Sequence, residues 1–311
     1  MREFKVEVGR EKGSERRPVT LPRLAEMKAA GEPIVMVTAY DYPSARVAEE
    51  AGVDIVLVGD TAAMVVLGYP GTEPVSMDEM VMLGKAVRRG LSTPLMVGDM
   101  PMGSYEASSE LAVQNAQRLV KETGCQVVKL EAGGTSVERA RAIVRAGIPV
   151  MGHVGLTPQT ATALGGYRTQ GKDLKTAIKL CEDALALQSV GCFSIVFEAV
   201  PAAIAEAIAE RLEIPVIGIG AGPAPDGQVL VFHDLLGITT GRAPKFVKRY
   251  AAVHDEMVAG VERYAAEVRA RQFPEADHVY GIDPAELSEF RDYLERESLA
   301  APGGWDWEPL S

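Results

Sequence analysis

The stretch QVVKLEAGG, Gln126–Gly134, ends a short apolar run with Lys129 and Glu131. Side chains alternate across a strand, so residues two apart share a face. A buried face does not accept two ionisable groups unless they are paired or wetted. This face therefore meets water or chemistry. Working outward, similar runs precede it at PIVMVTAY (33–40), DIVLVGD (54–60) and PLMVGDM (94–100). Others follow at PVMGHV (149–154), FSIVFEA (193–199) and PVIGIG (215–220), with the weaker GITTG (237–241) as an eighth. Continuous rather than alternating apolarity marks parallel strands covered on both faces, and helical segments such as PSARVAEEAG and SSELAVQNAQRLVKETG lie between the runs. The pattern predicts an α/β fold, a (β/α)8 TIM barrel. Strand count alone would also allow an open doubly wound sheet. The position of the polar residues decides between them: Asp60, Asp99, Glu131, His153 and Glu198 each close a different run, at the end where barrels build their sites. In an open sheet, tips so far apart in strand order could not all meet.

The barrel is expected over residues 21–281. LPRLAEMKAAGEP (21–33) forms a helix over its other mouth, and residues 1–20 form a mobile arm. Residues 282–311 read as a helical extension and tail. In DPAELSEFRDYLERES, Asp283 caps a helix, Pro284 takes its first position and Glu286 completes a capping box. Leu287, Phe290 and Leu294 make one apolar stripe on that helix, and the tail carries two tryptophans in APGGWDWEPLS.

With 47% apolar and 24% charged residues among 311, the composition is that of an ordinary globular chain. A formal net charge of −11 argues against nucleic acid or an anionic membrane as partner, since both call for a basic surface. Cys125, Cys181 and Cys192 are too few and too scattered for a disulfide framework or a thiolate metal site. The first residues, MREFKVEVGREKGSERRP, contain no apolar stretch that would serve as a signal or anchor. A cytoplasmic setting is expected.

Taken singly, the polar strand ends are weak signals, because an Asp closing a strand is often the N-cap of the next helix. Together they are informative. Asp60, Asp99, Glu131 and Glu198 bring four carboxylates to one mouth against a single obvious cation, Lys129. Like charges that close repel or take up protons unless something neutralises them. An all-oxygen donor set with one histidine favours a hard ion such as Mg2+ over Zn2+. Such an ion beside a lysine suits an α-keto acid, whose enolate it would stabilise. Glu198, at the end of one of the most apolar runs, is the candidate base, and that setting is expected to raise its pKa.

A series of motifs, in order along most of the chain, resembles the ketopantoate hydroxymethyltransferase family of the phosphoenolpyruvate/pyruvate superfamily. The series comprises VTAYDY (37–42), VGDTAAMVVLGY (58–69), RRG (88–90), KLEAGG (129–134), GHVGLTPQ (152–159), GGYRTQG (165–171), IPVIGIGAG (214–222), DGQVLVFHDLLG (226–237) and PKFVKRY (244–250). The resemblance implies Mg2+-dependent transfer of a hydroxymethyl group from 5,10-methylenetetrahydrofolate to 3-methyl-2-oxobutanoate, giving 2-dehydropantoate for pantothenate and coenzyme A synthesis. It places metal ligands at Asp60, Asp99 and Glu131, and the base at Glu198. It places keto-acid contacts at Asp60, Thr61, Asp99 and Lys129, with His153 close behind them. It also implies a homodecamer or other large homo-oligomer. The chain departs from the family at Thr61, where Ser is usual, in the loop YPGTEPVSMDE, and at Ala132, where Gly is usual. Two alternatives remain: a lyase of the same superfamily, although a KKCGH-like cysteine loop is absent, and a barrel without catalysis. The glycine-rich GIGAGPAPDG (218–227) lacks a Walker lysine and Rossmann spacing, so it reads as a tight strand-to-helix turn on the folate side. The long TPQTATALGGYRTQGKD connection (157–173) reads as a lid.

Overall fold

The computed structural model describes residues 16–131, 135–161, 166, 168–241 and 243–296. Its parallel strands are β1 (Ile34–Thr38), β2 (Ile55–Val58), β3 (Leu95–Asp99), β4 (Val127–Glu131), β5 (Val150–Gly155), β6 (Ser194–Glu198), β7 (Val216–Ile219) and β8 (Gly227–Leu230). They form a closed barrel in sequence order, with β8 returning to pair with β1. Most of the runs are apolar because both faces are covered, β1 and β8 each having one exposed residue. One parity of residues, including Ile34, Met36, Ile55, Leu95, Val97 and Val127, packs together inside the barrel. The other parity, including Val56, Met96, Val128, Leu130, Ile195 and Phe197, packs in the layer shared with the surrounding helices.

The helix Leu21–Ala30 caps the N-terminal mouth as expected. Thr20 caps it by accepting from the Arg23 N–H, Gly31 ends it in the left-handed region, and Leu24 and Met27 join the interior cluster. Just before it, the Val19 N–H donates to the Thr93 carbonyl at 2.8 Å, and the Arg16 guanidinium donates to the Gly52 carbonyl at 2.6 Å. Residues 16–20 of the expected arm are therefore held against the barrel unit, and residues 1–15 lie outside the described residues.

The eighth strand is not GITTG. It is Gly227–Leu230, ten residues earlier in the chain, and residues 237–241 follow the short helix Phe232–Leu235 as turns. The glycine-rich connection 220–226 is accordingly not a strand-to-helix turn, because it runs from β7 to β8 with no helix in between. Its glycines permit close packing: a Cβ on Gly220 would sit 2.6 Å from the Phe246 ring. On the outer face of this part of the barrel, Gln228 is exposed and Val35 of β1 is half exposed.

The chain divides into two compact units at His254/Asp255, earlier than the boundary at 281 that the sequence suggests. The second unit contains most of the helix Val253–Arg269 and the helix Pro284–Arg296. Within it, the Phe273 ring meets Tyr264 edge-on and His278 at a tilt, and the Asp283 carboxylate accepts the Ala285 N–H at 2.8 Å. Leu287 is half buried there, whereas Phe290 and Leu294 are exposed. The tail from residue 297 lies outside the described residues. Among the described residues no helix is long and apolar enough to cross a membrane.

Candidate active site

The parity that fills the barrel with Val97, Val127, Met151 and Val196 continues along each strand toward its C-terminal end. There it places Asp99, then Lys129 and Glu131, then His153, then Glu198. Strand register brings these residues side by side. Asp99 lies opposite Lys129, Glu131 opposite His153, and Gly155 opposite Glu198. Asp60, two residues past β2, joins them. Asp60, Thr61, Asp99, Lys129, Glu131, His153 and Glu198 line one small cavity of about 50 Å³ in the C-terminal mouth.

The contacts form a chain. Asp99 Oδ1 lies 2.9 Å from Lys129 Nζ, and Asp99 Oδ2 accepts the Asp60 N–H at 3.2 Å. Lys129 Nζ lies 3.5 Å from His153 Nδ1, which is 3.6 Å from Glu131 Oε1. On the other side of the imidazole ring, His153 Nε2 lies 3.2 Å from Glu198 Oε2. Burial, together with the charge of Asp99, pushes the Asp60 carboxyl up to about 7, against the pull of Lys129 and Gln159. Burial also raises Asp99 and Glu131, opposed chiefly by Lys129 in one case and His153 in the other. For Lys129, burial disfavours the charge, but Asp99, Asp60 and Glu131 outweigh it and hold the ammonium. Burial and the neighbouring Lys129 likewise oppose a charge on His153, yet Glu131 and Glu198 lift it to about 9.

Glu198 departs from its sequence reading. Instead of being sunk in an apolar wall, its side chain is 16% exposed and faces the His153 imidazole. The Thr61 hydroxyl is also engaged, 2.7 Å from the Tyr40 hydroxyl. The lid expectation divides. Residues 162–165 and 167 lie outside the described residues, but Pro158–Thr160 form a 3-10 turn in which Pro158 and Gln159 are buried, so this end of the connection is wall.

Gln159, Tyr105 and Tyr40 were not singled out in the sequence. Gln159 sits inside the motif GHVGLTPQ, which was the available signal, but its role depends on the turn that aims it inward. Its amide nitrogen donates to Asp60 Oδ2 at 2.9 Å and to the Met100 carbonyl at 3.0 Å. Its backbone N–H donates to Glu131 Oε2 at 3.0 Å. The Tyr105 hydroxyl donates to Gln159 Oε1 at 2.6 Å.

Among the described residues no group of three His, Cys, Asp or Glu side chains forms a ready-made metal cage. The donor chemistry nevertheless fits a hard cation. Among the described residues Glu131 Oε1 is buried without a hydrogen-bond partner, and Asp99 Oδ1 has only its ion pair with Lys129. Mg2+ needs one or two carboxylates, its remaining positions being filled by water and substrate oxygens. Asp60 and Asp99 could hold it, with Glu131 reaching it through water.

A closed parallel barrel with carboxylates, a lysine and a histidine gathered in its C-terminal mouth has the build of the barrel enzymes, whose active sites lie at that end. The ketopantoate hydroxymethyltransferase family matches residues 18–276, and the chain belongs to that family. It is an enzyme, a hydroxymethyltransferase. Relatives named 3-methyl-2-oxobutanoate hydroxymethyltransferase include that of Carboxydothermus hydrogenoformans, 55% identical over 266 residues, covering 86% of this chain and 96% of the relative. That of Moorella thermoacetica is 53% identical over 267 residues, covering 86% and 99%. Among solved structures, 2,3-dimethylmalate lyase, a member of the PEP mutase/isocitrate lyase superfamily, covers 91% of this chain and 98% of its own at a TM-score of 0.54. Its 17% identity makes this a likeness of fold alone. With the family assigned, the lyase and the non-catalytic barrel fall away.

Proposed function

We propose that the chain transfers a hydroxymethyl group from 5,10-methylenetetrahydrofolate to 3-methyl-2-oxobutanoate, giving 2-dehydropantoate, with Mg2+ held by Asp60 and Asp99. The observation that carries this reading is that Glu198 lines the same cavity as both aspartates and Lys129. The names of the relatives support the keto acid, and the orphaned carboxylate oxygens support the cation. When bound, such a cation supplies Lewis-acid stabilisation of negative charge on the keto oxygen. Lys129, buried and kept charged by three carboxylates, adds a fixed positive charge for the substrate's carboxylate. Glu198 takes the proton from C3 of the keto acid. His153, 3.2 Å away, orients the Glu198 side chain, and Glu131 on its other side holds the ring in place.

The reading includes a large homo-oligomer in a reducing cytoplasm. All three cysteines are free, and the helix Val253–Arg269 leaves Met257, Val261 and Tyr264 more than half exposed.

The test is exchange of the C3 hydrogen into deuterated water, without folate, followed by NMR. Glu198→Gln should slow exchange by about 10²–10⁴-fold while Mg2+ and keto acid still bind. Exchange at the wild-type rate would remove Glu198 from the mechanism, and full turnover after chelation would remove the metal.

A further inference from the structure

We infer that Gln159 is a positioning residue of this site, oriented by Tyr105, and that it sets which oxygens of Asp60 and Glu131 face the cation. The inference rests on the metal reading above and goes beyond it in naming what arranges the ligands.

Gln159 is 3% exposed and lies in the turn directly after β5. Through one residue the turn reaches three strand ends: Asp60 past β2, Met100 past β3 and Glu131 at the end of β4. The orientation of the amide is determined by its partners. The Met100 carbonyl can only accept, so the nitrogen must face it, and the same nitrogen reaches Asp60 Oδ2. Reversing the amide would set Gln159 Oε1 against the Met100 carbonyl oxygen. The Tyr105 hydroxyl, 2% exposed as a residue, enforces the same choice by donating to Oε1, and its own oxygen lies 3.4 Å from the Glu131 N–H. The consequence is selective occupation. Asp60 Oδ2 and Glu131 Oε2 are engaged by Gln159, and Glu131 Oε1 has no hydrogen bond among the described residues.

The residue type fits a cation site. A glutamine side chain supplies its N–H groups to Asp60 and the Met100 carbonyl without bringing charge, while its backbone N–H serves Glu131. A lysine or arginine in its place would neutralise the carboxylates and compete with the cation, and a glutamate would add to their repulsion. Gln159 therefore restrains Asp60 and Glu131 while leaving their charge for the metal. Partners of this kind around a metal typically account for about 10–100-fold in metal affinity.

The test is calorimetric titration of chelator-treated protein with MgCl2 alone, on wild type, Gln159→Leu, Tyr105→Phe and the double variant, each with its melting temperature. Gln159→Leu should weaken Mg2+ binding by about 10–100-fold, and Tyr105→Phe by a smaller factor. The double variant should bind no more weakly than Gln159→Leu, because Tyr105 acts through the amide. Unchanged affinity in folded Gln159→Leu, or losses that multiply in the double variant, would overturn the inference. Should Gln159→Leu fail to fold, Tyr105→Phe, which keeps the ring, still decides: wild-type affinity overturns the inference. Failure of the wild type itself to bind Mg2+ sinks the metal reading separately. The positioning role is then judged by melting of metal-free Gln159→Leu, Asp60→Asn and their combination, where shifts that simply add would overturn it and non-additive shifts would support it.

Discussion

The two mouths of the barrel are built from the same strands and are almost equally dry, yet they are held together by different forces. At the N-terminal mouth, Leu24 and Met27 are 0% and 2% exposed, lying against Ile34, Ile55 and Leu95. At the C-terminal mouth, Asp99, Lys129 and Glu131 are 1%, 4% and 2% exposed. Burial is not what distinguishes them. One end is stabilised by apolar burial and close packing. The other carries charge that has to be compensated pair by pair, and breaking one partner leaves the rest exposed to the full cost of burial. The first end can tolerate losses of volume in proportion to their size; the second cannot lose its single lysine cheaply.

The largest effect is therefore expected at the charged mouth. Lys129→Met keeps the length of the side chain but removes the cation facing Asp99, and it should cost about 3–5 kcal/mol near neutral pH, measured by urea unfolding of metal-free protein. The cost should shrink as acid protonates the carboxylates. At the apolar mouth, Leu24→Ala should cost about 3 kcal/mol through the cavity it leaves, with turnover per folded molecule unchanged. A large loss of turnover there would show that the two ends are not independent.

A titration separates the ends further. Asp60 is lifted by burial and Asp99 to about 7, so the native state holds that proton more tightly than the unfolded chain does. Its contribution to stability is complete below about pH 4 and is lost as the pH rises through 7. The melting temperature of metal-free wild type should fall relative to Asp60→Asn over this window, on the order of a few degrees. Parallel melting curves would contradict the assignment. Smallest of all is the peripheral pair near the N-terminal mouth, Lys28–Asp226 at 2.8 Å with both side chains about one-fifth exposed. Lys28→Met should change stability by about 1 kcal/mol or less, measured in the same unfolding experiment.

The charged mouth was largely legible in the sequence because strand parity is local. Lys129 and Glu131 two apart, each at the end of an apolar run, already state that one face changes character within a strand. The helix over the other mouth was legible as well, in LPRLAEMKAAGEP. The eighth strand was missed because Gly227–Leu230 has a glycine, an exposed Gln228 and no helix leading into it, so it lacks the continuous apolar signature of a strand covered on both faces. Gln159 was missed because a turn residue gains its meaning only from where the turn points. The partial exposure of Glu198 could not be read from the apolar residues before it, since these face the helices and the barrel interior, whereas the carboxylate sits beyond them at the rim.

The seam between β1 and β8 has a consequence for how the chain is made. Ile34 pairs with Gly227, so the first strand to leave the ribosome closes against the last. Until residue 230 has been synthesised, β1 presents an unpaired edge on a growing, partly formed sheet. Such edges are templates for pairing with other chains, and contacts this distant in sequence form slowly. The seam is also tight, since a Cβ on Gly227 would lie 2.4 Å from the Ile34 carbonyl oxygen. The edge of β1 therefore stays open to mispairing until β8 has been made, and a side chain at position 227 would prolong that exposure.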